Sequence, residues 1–562
     1  MKTTRFFFIL AVFFIQSIAP LQAATGRKAM VVTADAHATA AALEILERGG
    51  NAVDAAVAAQ WVLNVVEPGS SGIGGGGFFL YYDAATKRIL AFDGREKAPA
   101  EVFPEMFLDE TGEPYPFKPE RITGGLAVGV PGTLKLLKEV HDRYGTRQFS
   151  FASLFDPAIR LAEQGFPVTP RLAKYMEEEK GRLGMFEASR RIFLDENGNG
   201  IRAGQILRQQ DLGATFRLIQ KKGPKVFYEG EIAADIVKAV QKAPFHPGFM
   251  KRSDLKEYRV AVRQAVRGSY RGHDIFSMGP PSSGGTTFIE ILHILEPYNI
   301  RTLGTRVDGY HLLSEAQKVA FQDRNRYLGD PEFSKIPLKR ILSKQFAKER
   351  SDGIHFSMAI PTSQAAVRPL ALEGTHTSHM SIVDAWGNAV AYTTTIEEIF
   401  GSGMVVPGRG FILNNELTDF DAVPRDFEGK LMPNAPEGDK RPRSSMTPTF
   451  VFRRGKLVMV LGSPGGSKII GAVLNVFIHA VDFGMPIEQA VAAPRMINRD
   501  GPIEMEPLLF NNADLRRELE RRGHPLIPSE PFGNVQAIQI DPEEGILTGA
   551  GDPRGEGSAQ GY

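Results

Sequence analysis

The sequence pattern changes at Thr377, and this change constrains the fold more than any other feature of the chain. Before Thr377, the Ala-rich segments HATAAALEILERGGN and DAAVAAQWVLNVVEPG have helical spacing and end at Gly or Pro. After it, MSIVD and AVAYTTTI flank the turn AWGN, and TPTFVF and KLVMVLG flank residues 453–455, as in two β-hairpins. Helices combined with two groups of strands predict stacked sheets covered by helices, in one integrated α+β unit.

The rest of the chain supports this class of fold. Apolar periodicity predicts helices at 132–144, 152–163, 232–242, 286–296, 309–327, 469–483, 487–493 and 513–522, and VQAIQI and GILTGA predict closing strands. The glycine cluster GIGGGG, residues 72–77, precedes an apolar strand, whereas a dinucleotide-binding loop follows a strand and opens a helix. We therefore predict a close-packed backbone turn at this cluster.

Residues 1–24 predict a removable secretory signal. A basic start leads into an apolar run from Phe6 to Ile15, and small residues follow at Ala23 and Ala24. A membrane anchor is the alternative, but this run is shorter than the ~18 apolar residues that a spanning helix needs. We expect a periplasmic or secreted protein. The chain has no Cys, which excludes disulfides, a thiolate zinc site and a cysteine nucleophile.

Several other function classes are disfavoured by the composition and motifs. The formal net charge is +1 and no stretch gathers five basic residues, so a nucleic-acid partner is not expected. The segment DENGNG, residues 195–200, has Ile206 where a calcium loop requires Glu, and it predicts a polar turn. GSPGGSK lacks the spacing of a phosphate-binding loop, and the histidines lack metal-ligand spacing.

The step from Gly374 to Met380, GTHTSHM, is polar and leads directly into a strand. A threonine hydroxyl needs a base to become a nucleophile, and its own N-terminal amine, with a pKa near ~7.7–8.0, is one solution. Using that solution at Thr377 requires scission of the bond after His376. The alternative is that Thr375, Thr377 and Ser378 are surface residues that enter a strand.

The ordered blocks of the chain decide between these interpretations. They are SSGIGGGGF (70–78), REKAP (95–99), PPSSGG (280–285), TSHMSIVDAWGNAVA (377–391), FGSGM (400–404), ILNNELTDF (412–420), KRPRSSMTPT (440–449), GSPGGSKII (462–470) and the terminal DPR and GY. In these blocks the chain resembles the γ-glutamyltranspeptidases of the N-terminal nucleophile hydrolase superfamily. The resemblance implies a four-layer αββα sandwich. It also selects Thr377 over Thr375 as the scission site, giving a large subunit of 25–376 and a small subunit of 377–562.

The resemblance also implies which residues act on the substrate. Thr377 would be the nucleophile and Thr395 would hydrogen-bond its oxygen, while the backbone N–H groups of Gly465 and Gly466 would stabilise the oxyanion. His379, beside the scission site, is expected to be packed.

For the donor's α-carboxylate, Arg95 supplies a guanidinium fork, and Ser444 and Ser445 add hydroxyl or backbone donors. The alternative for these residues is a structural role in strand-end turns. For the α-ammonium, the chain offers Glu416 and Asp419, with Glu397 at a position that varies in the family.

The activity implied is transfer of a γ-glutamyl group from glutathione or a related compound to water, an amino acid or a peptide. A metal or cofactor is not needed when the nucleophile carries its own base. Residues 421–440 lack the Tyr that closes the pocket in some relatives, and whether they form a lid stays open. Three rivals stay open as well: a γ-polyglutamate depolymerase, a β-lactam-side-chain acylase and an unprocessed scaffold protein.

Overall fold

The computed structural model describes residues 23–304, 306–362 and 376–562, and two seven-stranded antiparallel sheets form its centre. Strands and helices are numbered in chain order. Sheet I contains, in order across it, β1 (Ala23–Gly26), β18 (Leu547–Gly551), β17 (Gln536–Ile540), β13 (Lys456–Gly462), β12 (Thr449–Arg453), β9 (His273–Ser277) and β8 (Val266–Tyr270). Sheet II contains β19 (Ser558–Gly561), β2 (Met30–Thr33), β10 (Thr377–Val383), β11 (Ala389–Thr395), β3 (Gly76–Asp83), β4 (Arg88–Asp93) and β7 (Ala261–Arg263).

Two smaller sheets lie outside this pair. One joins β14 (Met496–Asn498), β15 (Ile503–Met505) and β16 (Leu526–Pro528), and the other joins β5 (Phe166–Pro167) and β6 (Ile206–Leu207).

Helices cover the outer faces of both sheets. The helices on the side of sheet II are α1 (Ala36–Glu47), α2 (Ala52–Val66), α3 (Thr133–Tyr144), α4 (Asp156–Gln164), α5 (Pro170–Glu178), α6 (Lys180–Gly184), α7 (Glu187–Phe193), α8 (Gln210–Lys222), α9 (Lys225–Tyr228), α10 (Glu231–Gln241) and α11 (Arg252–Glu257). Those on the side of sheet I are α12 (Gly284–Leu295), α13 (Ile300–Leu303), α14 (Val307–Tyr327), α15 (Leu338–Ile341), α16 (Lys344–Ser351), α17 (Lys468–Val481), α18 (Ile487–Ala492), α19 (Pro507–Phe510) and α20 (Ala513–Arg521).

The alternation of side chains along each strand separates two apolar cores. In β3, Phe79 and Tyr81 face the helices, whereas Phe78 and Leu80 face the space between the sheets. Because both faces of sheet II are buried, its strands are continuously apolar instead of alternating with polar residues. The resulting α+β sandwich has the four layers, αββα, that the sequence predicts.

The central helix of the first layer, α2, shows how sequence sets the local structure. All fifteen of its residues are buried, as expected for a helix that is apolar on every side. Its start is fixed by a capping box in which the Asn51 side chain accepts from the N–H groups of Val53 and Asp54, and the Asp54 carboxylate accepts from the N–H of Asn51.

Segments from both sides of Thr377 are interleaved in each sheet. Sheet I takes β1, β8 and β9 from before Thr377, and sheet II takes β2, β3, β4 and β7. The predicted helices agree with those observed, for example Thr133–Tyr144 for 132–144 and Glu231–Gln241 for 232–242. The sequence did not predict β8 and β9, because the segment VRGSYRGHDIFS carries charged residues and glycines among few apolar ones. Residues 1–22 of the predicted signal lie outside the described residues.

Across the described ranges, no helix combines the length and the apolar character that crossing a bilayer would require.

The predicted glycine turn is confirmed as a place of close backbone approach. A Cβ atom built on Gly74 would lie 1.9 Å from the carbonyl oxygen of Ile412, and one on Gly75 would lie 2.0 Å from that of Thr395. Real Cβ atoms do not approach backbone oxygens so closely, so this turn accepts only glycine. It holds the loop before β3 against the end of β11.

We expect Gly74→Ala to lower the free energy of unfolding by about 1–3 kcal/mol, because the added methyl group overpacks against backbone that cannot move aside. Thermal denaturation of the purified protein measures this change. Gly181→Ala is the matched control, since no atom lies within 4 Å of its Cβ position and its helix favours Ala. Equal midpoints for the two variants would contradict the packing argument.

Candidate active site

Thr377 is the first residue of β10, a central strand of sheet II, and it is buried. Its partner across the ladder is Thr395, the last residue of β11. The two hydroxyl oxygens lie 3.4 Å apart, and the Thr395 hydroxyl also donates to the carbonyl oxygen of His376 at 3.2 Å. Thr395 therefore contacts both sides of the predicted scission site.

The backbone of Glu397 fixes this arrangement. Its N–H donates to the Thr395 hydroxyl at 2.8 Å, and its C=O accepts from the N–H of His376 at 3.3 Å. Its φ of 81° lies in the left-handed region, which a residue with a side chain adopts only when the surroundings hold it there. The constrained turn after β11 therefore sets the positions of both Thr395 and His376.

Arg95 is fully buried and its guanidinium group is already engaged. Nη1 pairs with Glu416 and Nη2 pairs with Asp419, while Nε donates to the carbonyl oxygen of Pro442 at 3.2 Å and Nη2 donates to that of Arg443 at 3.1 Å. Burial would lower the pKa of Arg95, but the Glu416 and Asp419 carboxylates raise it above its ordinary value. The predicted carboxylate-binding and ammonium-binding residues thus contact one another.

Arg324 holds the loop that carries the two predicted serines. Its Nη2 donates to the Ser445 hydroxyl at 2.7 Å, and its Nε donates to the Ser283 hydroxyl at 2.8 Å. Ser283 in turn donates through its hydroxyl to the carbonyl oxygen of Ser444 at 2.7 Å. The sequence analysis missed Arg324, because this residue lies in the periodic pattern of helix α14 and outside the block KRPRSSMTPT that contains the two serines.

Gly465 and Gly466 form the turn between β13 and α17. Their φ angles are 131° and 55°, which favours glycine at both positions. Their carbonyl groups accept from the N–H groups of Lys468 and Ile469 in the first turn of the helix. Within the described part of the chain, neither glycine N–H donates to a backbone carbonyl, and both lie at the positive end of the α17 dipole.

One cavity brings the predicted residues together. Nine of the ten residues that the sequence analysis named line this cavity, and the tenth, Gly465, adjoins Gly466, which does. The lining residues are Arg95, Thr377, Thr395, Glu397, Glu416, Asp419, Ser444, Ser445, Met446, Gly466 and Ile469.

The arrangement places the Thr377 hydroxyl, the backbone N–H groups of two glycines and a cluster of charges at one cavity. The family model for gamma-glutamyltranspeptidase matches residues 38–562. This chain belongs to the gamma-glutamyltranspeptidase family.

Relatives of known name agree with this assignment. The glutathione hydrolase proenzyme of Bacillus subtilis (strain 168) is 40% identical over 560 residues, covering 96% of this chain and 92% of its own. The crystal structure of cephalosporin acylase from Bacillus halodurans has a TM-score of 0.83 at 28% identity and covers 98% of this chain and 99% of its own. That of the Helicobacter pylori gamma-glutamyltranspeptidase has a TM-score of 0.56 at 38% identity, covering 58% and 92%.

His379 is packed in this transpeptidase-family enzyme, as predicted. It is fully buried between the sheets, where Nδ1 lies 2.8 Å from the Thr393 hydroxyl and Nε2 lies 3.1 Å from the Ser381 hydroxyl. Burial lowers the pKa of its imidazole to about 3, so the ring is neutral at working pH.

A second group of contacts involves the residues on either side of the predicted scission site, His376 and Ser378. The Ser378 hydroxyl donates to the Glu67 carboxylate at 2.6 Å, and the ring of Tyr175 meets the edge of the His376 ring at a centroid distance of 4.9 Å. Burial raises the pKa of Glu67 above its ordinary value. Glu67 was missed because VVEPG reads as the end of a helix, and no local pattern indicates that this end faces Ser378.

Residues 421–440, the segment whose role stayed open, do not line the cavity. The side chain of Asn434 donates to the carbonyl oxygen of Asp419 at 2.7 Å and accepts from the N–H of Arg443 at 2.8 Å. The ring of Phe427 is 77% exposed. In this structure the segment hydrogen-bonds through Asn434 to the backbone of Asp419 and Arg443, and it does not cover the site.

We expect Arg324→Lys to raise the KM for a γ-glutamyl donor about tenfold, because a lysine cannot donate to Ser283 and Ser445 together, and a charged hydrogen bond contributes about 1.5–3 kcal/mol. Steady-state kinetics with a γ-glutamyl anilide measures the effect. Arg326→Lys on the same helix is the control, because that side chain is exposed. Identical donor constants for both variants would show that the serine loop does not depend on Arg324.

Proposed function

We propose that this enzyme cleaves its own chain before Thr377 and then transfers the γ-glutamyl group of glutathione, or of related γ-glutamyl compounds, to water, amino acids or peptides. The observation that supports this most directly is the shared cavity. The Thr377 hydroxyl and the cluster of Arg95, Glu416 and Asp419 line the same space, as attack on the γ-carbonyl of an anchored glutamyl group requires.

Scission uses the contacts around His376. The Thr395 hydroxyl donates to the carbonyl oxygen of His376 and so polarises the carbon that the Thr377 oxygen attacks. An N-to-O acyl shift followed by hydrolysis of the ester leaves Thr377 with a free α-amine. The products are the large subunit, residues 25–376, and the small subunit, residues 377–562.

The new α-amine is the base for transfer. It accepts the hydroxyl proton as the Thr377 oxygen attacks the γ-amide carbonyl, and the N–H groups of Gly465 and Gly466 receive the oxyanion. The amine returns the proton to the leaving group, and a γ-glutamyl ester on Thr377 remains. Water or an acceptor amine, deprotonated by the same base, then releases the product.

The donor is recognised by its α-carboxylate and α-ammonium groups. Four of the five N–H groups of Arg95 donate to acceptors in the protein. The fifth, on Nη1, can donate to the α-carboxylate of the donor. The hydroxyls of Ser444 and Ser445 complete that subsite. Glu416 and Asp419, with Glu397, accept the ammonium group.

We also propose that the enzyme is exported. Residues 1–24 serve as a signal and place the enzyme in the periplasm or outside the cell. Ala23 and Ala24 pair with Ala550 and Gly549 at one edge of sheet I, so their removal would shorten β1 without reaching the site.

A second candidate is a β-lactam-side-chain acylase, favoured by the likeness to the cephalosporin acylase structure. The acidic residues Glu397, Glu416 and Asp419 argue against it, because an acyl group without an ammonium group brings no cation to a cavity lined by three carboxylates. A γ-glutamyl anilide and the matching glutaryl anilide, which lacks the ammonium group, separate the two. The proposed enzyme turns over the first at least about 100-fold faster, for a charged pair of about 3 kcal/mol.

Thr377→Ala should remain a single full-length chain without activity, because it lacks the attacking hydroxyl. Denaturing electrophoresis and mass spectrometry of the purified protein measure the scission. Thr375→Ala is the control and should yield a fragment beginning Thr-Ser-His-Met. Turnover of the anilide by an uncut Thr377→Ala variant would exclude Thr377 as the nucleophile.

Arg95→Lys should raise the donor KM by about 10- to 100-fold, because one ammonium group cannot make the contacts of the fork to Glu416, Asp419 and the substrate. Scission should change far less, since the guanidinium group of Arg95 hydrogen-bonds to Glu416, Asp419, Pro442 and Arg443. Kinetics and fragment analysis of one preparation give both values. An unchanged donor KM would remove Arg95 from the site.

A further inference from the structure

Three buried carboxyl groups surround one guanidinium group beside the cavity. Glu416 and Asp419 pair with Arg95, and Glu96 follows Arg95 in the chain with its side chain wholly buried. Three ionised carboxylates around one guanidinium group would repel one another strongly in a region closed to water. Such a state is costly, so a further positive charge or a proton belongs to the cluster.

The hydrogen-bond pattern shows where an additional proton could be held. Within the described residues, no N–H or O–H group donates to either oxygen of Glu96 or to Oε2 of Glu416. These two carboxyl groups face each other closely enough to hydrogen-bond once one of them is protonated. Glu96 has little freedom to turn away, because a Cβ on Gly76 would lie 2.5 Å from its Oε2.

The titratable neighbours of Glu96 include Arg95 and Asp419, described above, and the phenols of Tyr258 and Tyr392. Burial raises the pKa of both phenols, so both are neutral at working pH. Burial also raises the pKa of Glu96 to about 7 and that of Glu416 well above its usual range.

We propose that Glu96 and Glu416 share one proton in the donor-free enzyme, and that the α-ammonium group of a γ-glutamyl donor expels this proton to solvent when it binds at Glu416 and Asp419. The inference rests on the proposed function, since it takes Glu416 and Asp419 as the ammonium subsite. One positive charge replaces another, and no covalent bond changes. Glu96 is then a positioning residue that acts through Glu416.

This exchange makes donor binding depend on pH. The free enzyme holds the proton and the complex does not, so acid favours the free enzyme and weakens binding. The exchange also selects ligands, because a molecule with an α-carboxylate and no ammonium group brings no positive charge that could replace the proton.

L-Glutamate is the probe, because it carries both α-groups and has no γ-amide to cleave. Its inhibition constant against turnover of a γ-glutamyl anilide is measured between about pH 5.5 and about pH 8.5, where the charges of glutamate itself do not change. For the wild-type enzyme we expect this constant to rise about tenfold per pH unit on the acid side of the transition. For Glu96→Gln it should be nearly constant, because the amide donates to Glu416 without a titrating proton.

Glu110→Gln, at an exposed glutamate, is the matched control and should keep the wild-type profile. Calorimetry of glutamate binding to the wild-type enzyme, in two buffers of different ionisation enthalpy, counts the released protons without any variant. A pH-independent inhibition constant, or no proton release at about pH 6.5, would overturn the shared proton. An enzyme that is cut at Thr377 but never turns over the anilide would instead refute the proposed function.

Discussion

The register between β10 and β11 determines where every reactive group of this enzyme lies. It places Thr377 opposite Thr395 at one end of sheet II, in the centre of the sheet where neither strand can slide. A shift of one residue would turn the threonine side chains to the opposite face of the sheet. The glycine turn before β3 fits against the end of β11 and secures the register from the other side. The loops that carry Arg95, Ser445 and Gly466 then converge on a fixed point.

Charge pairing constrains the cavity as strongly as shape does. The buried carboxylates of Glu416 and Asp419 are tolerated because Arg95 pairs with both. A substrate with both a carboxylate and an ammonium group presents a charge of opposite sign to each kind of group in this cluster. The same cluster that orients a glutamyl group therefore also makes unsuitable ligands costly to bury.

The sequence predicted the fold class, most of the long helices and the group of residues that lines the cavity, because each of these depends on local patterns or on ordered blocks. It failed where the cause is distant in the chain. Strands β8 and β9 have weak patterns and form only because they complete sheet I beside β12. Glu67 and Arg324 contact the site across 311 and 121 residues of sequence, respectively. The ion pairing of Arg95 with Glu416 and Asp419 was also missed, since residue types show charge but not which charges meet.

The interleaving of strands in both sheets affects how the two parts of the chain, before and after Thr377, can be synthesised. Neither part contains a complete sheet, and each apolar core contains side chains from both parts. Two genes encoding the halves would therefore yield two aggregation-prone polypeptides that must find each other before either has a stable shape. A single gene keeps the two parts covalently linked while they fold. Scission of the backbone preserves the fold only if it follows assembly of the four layers.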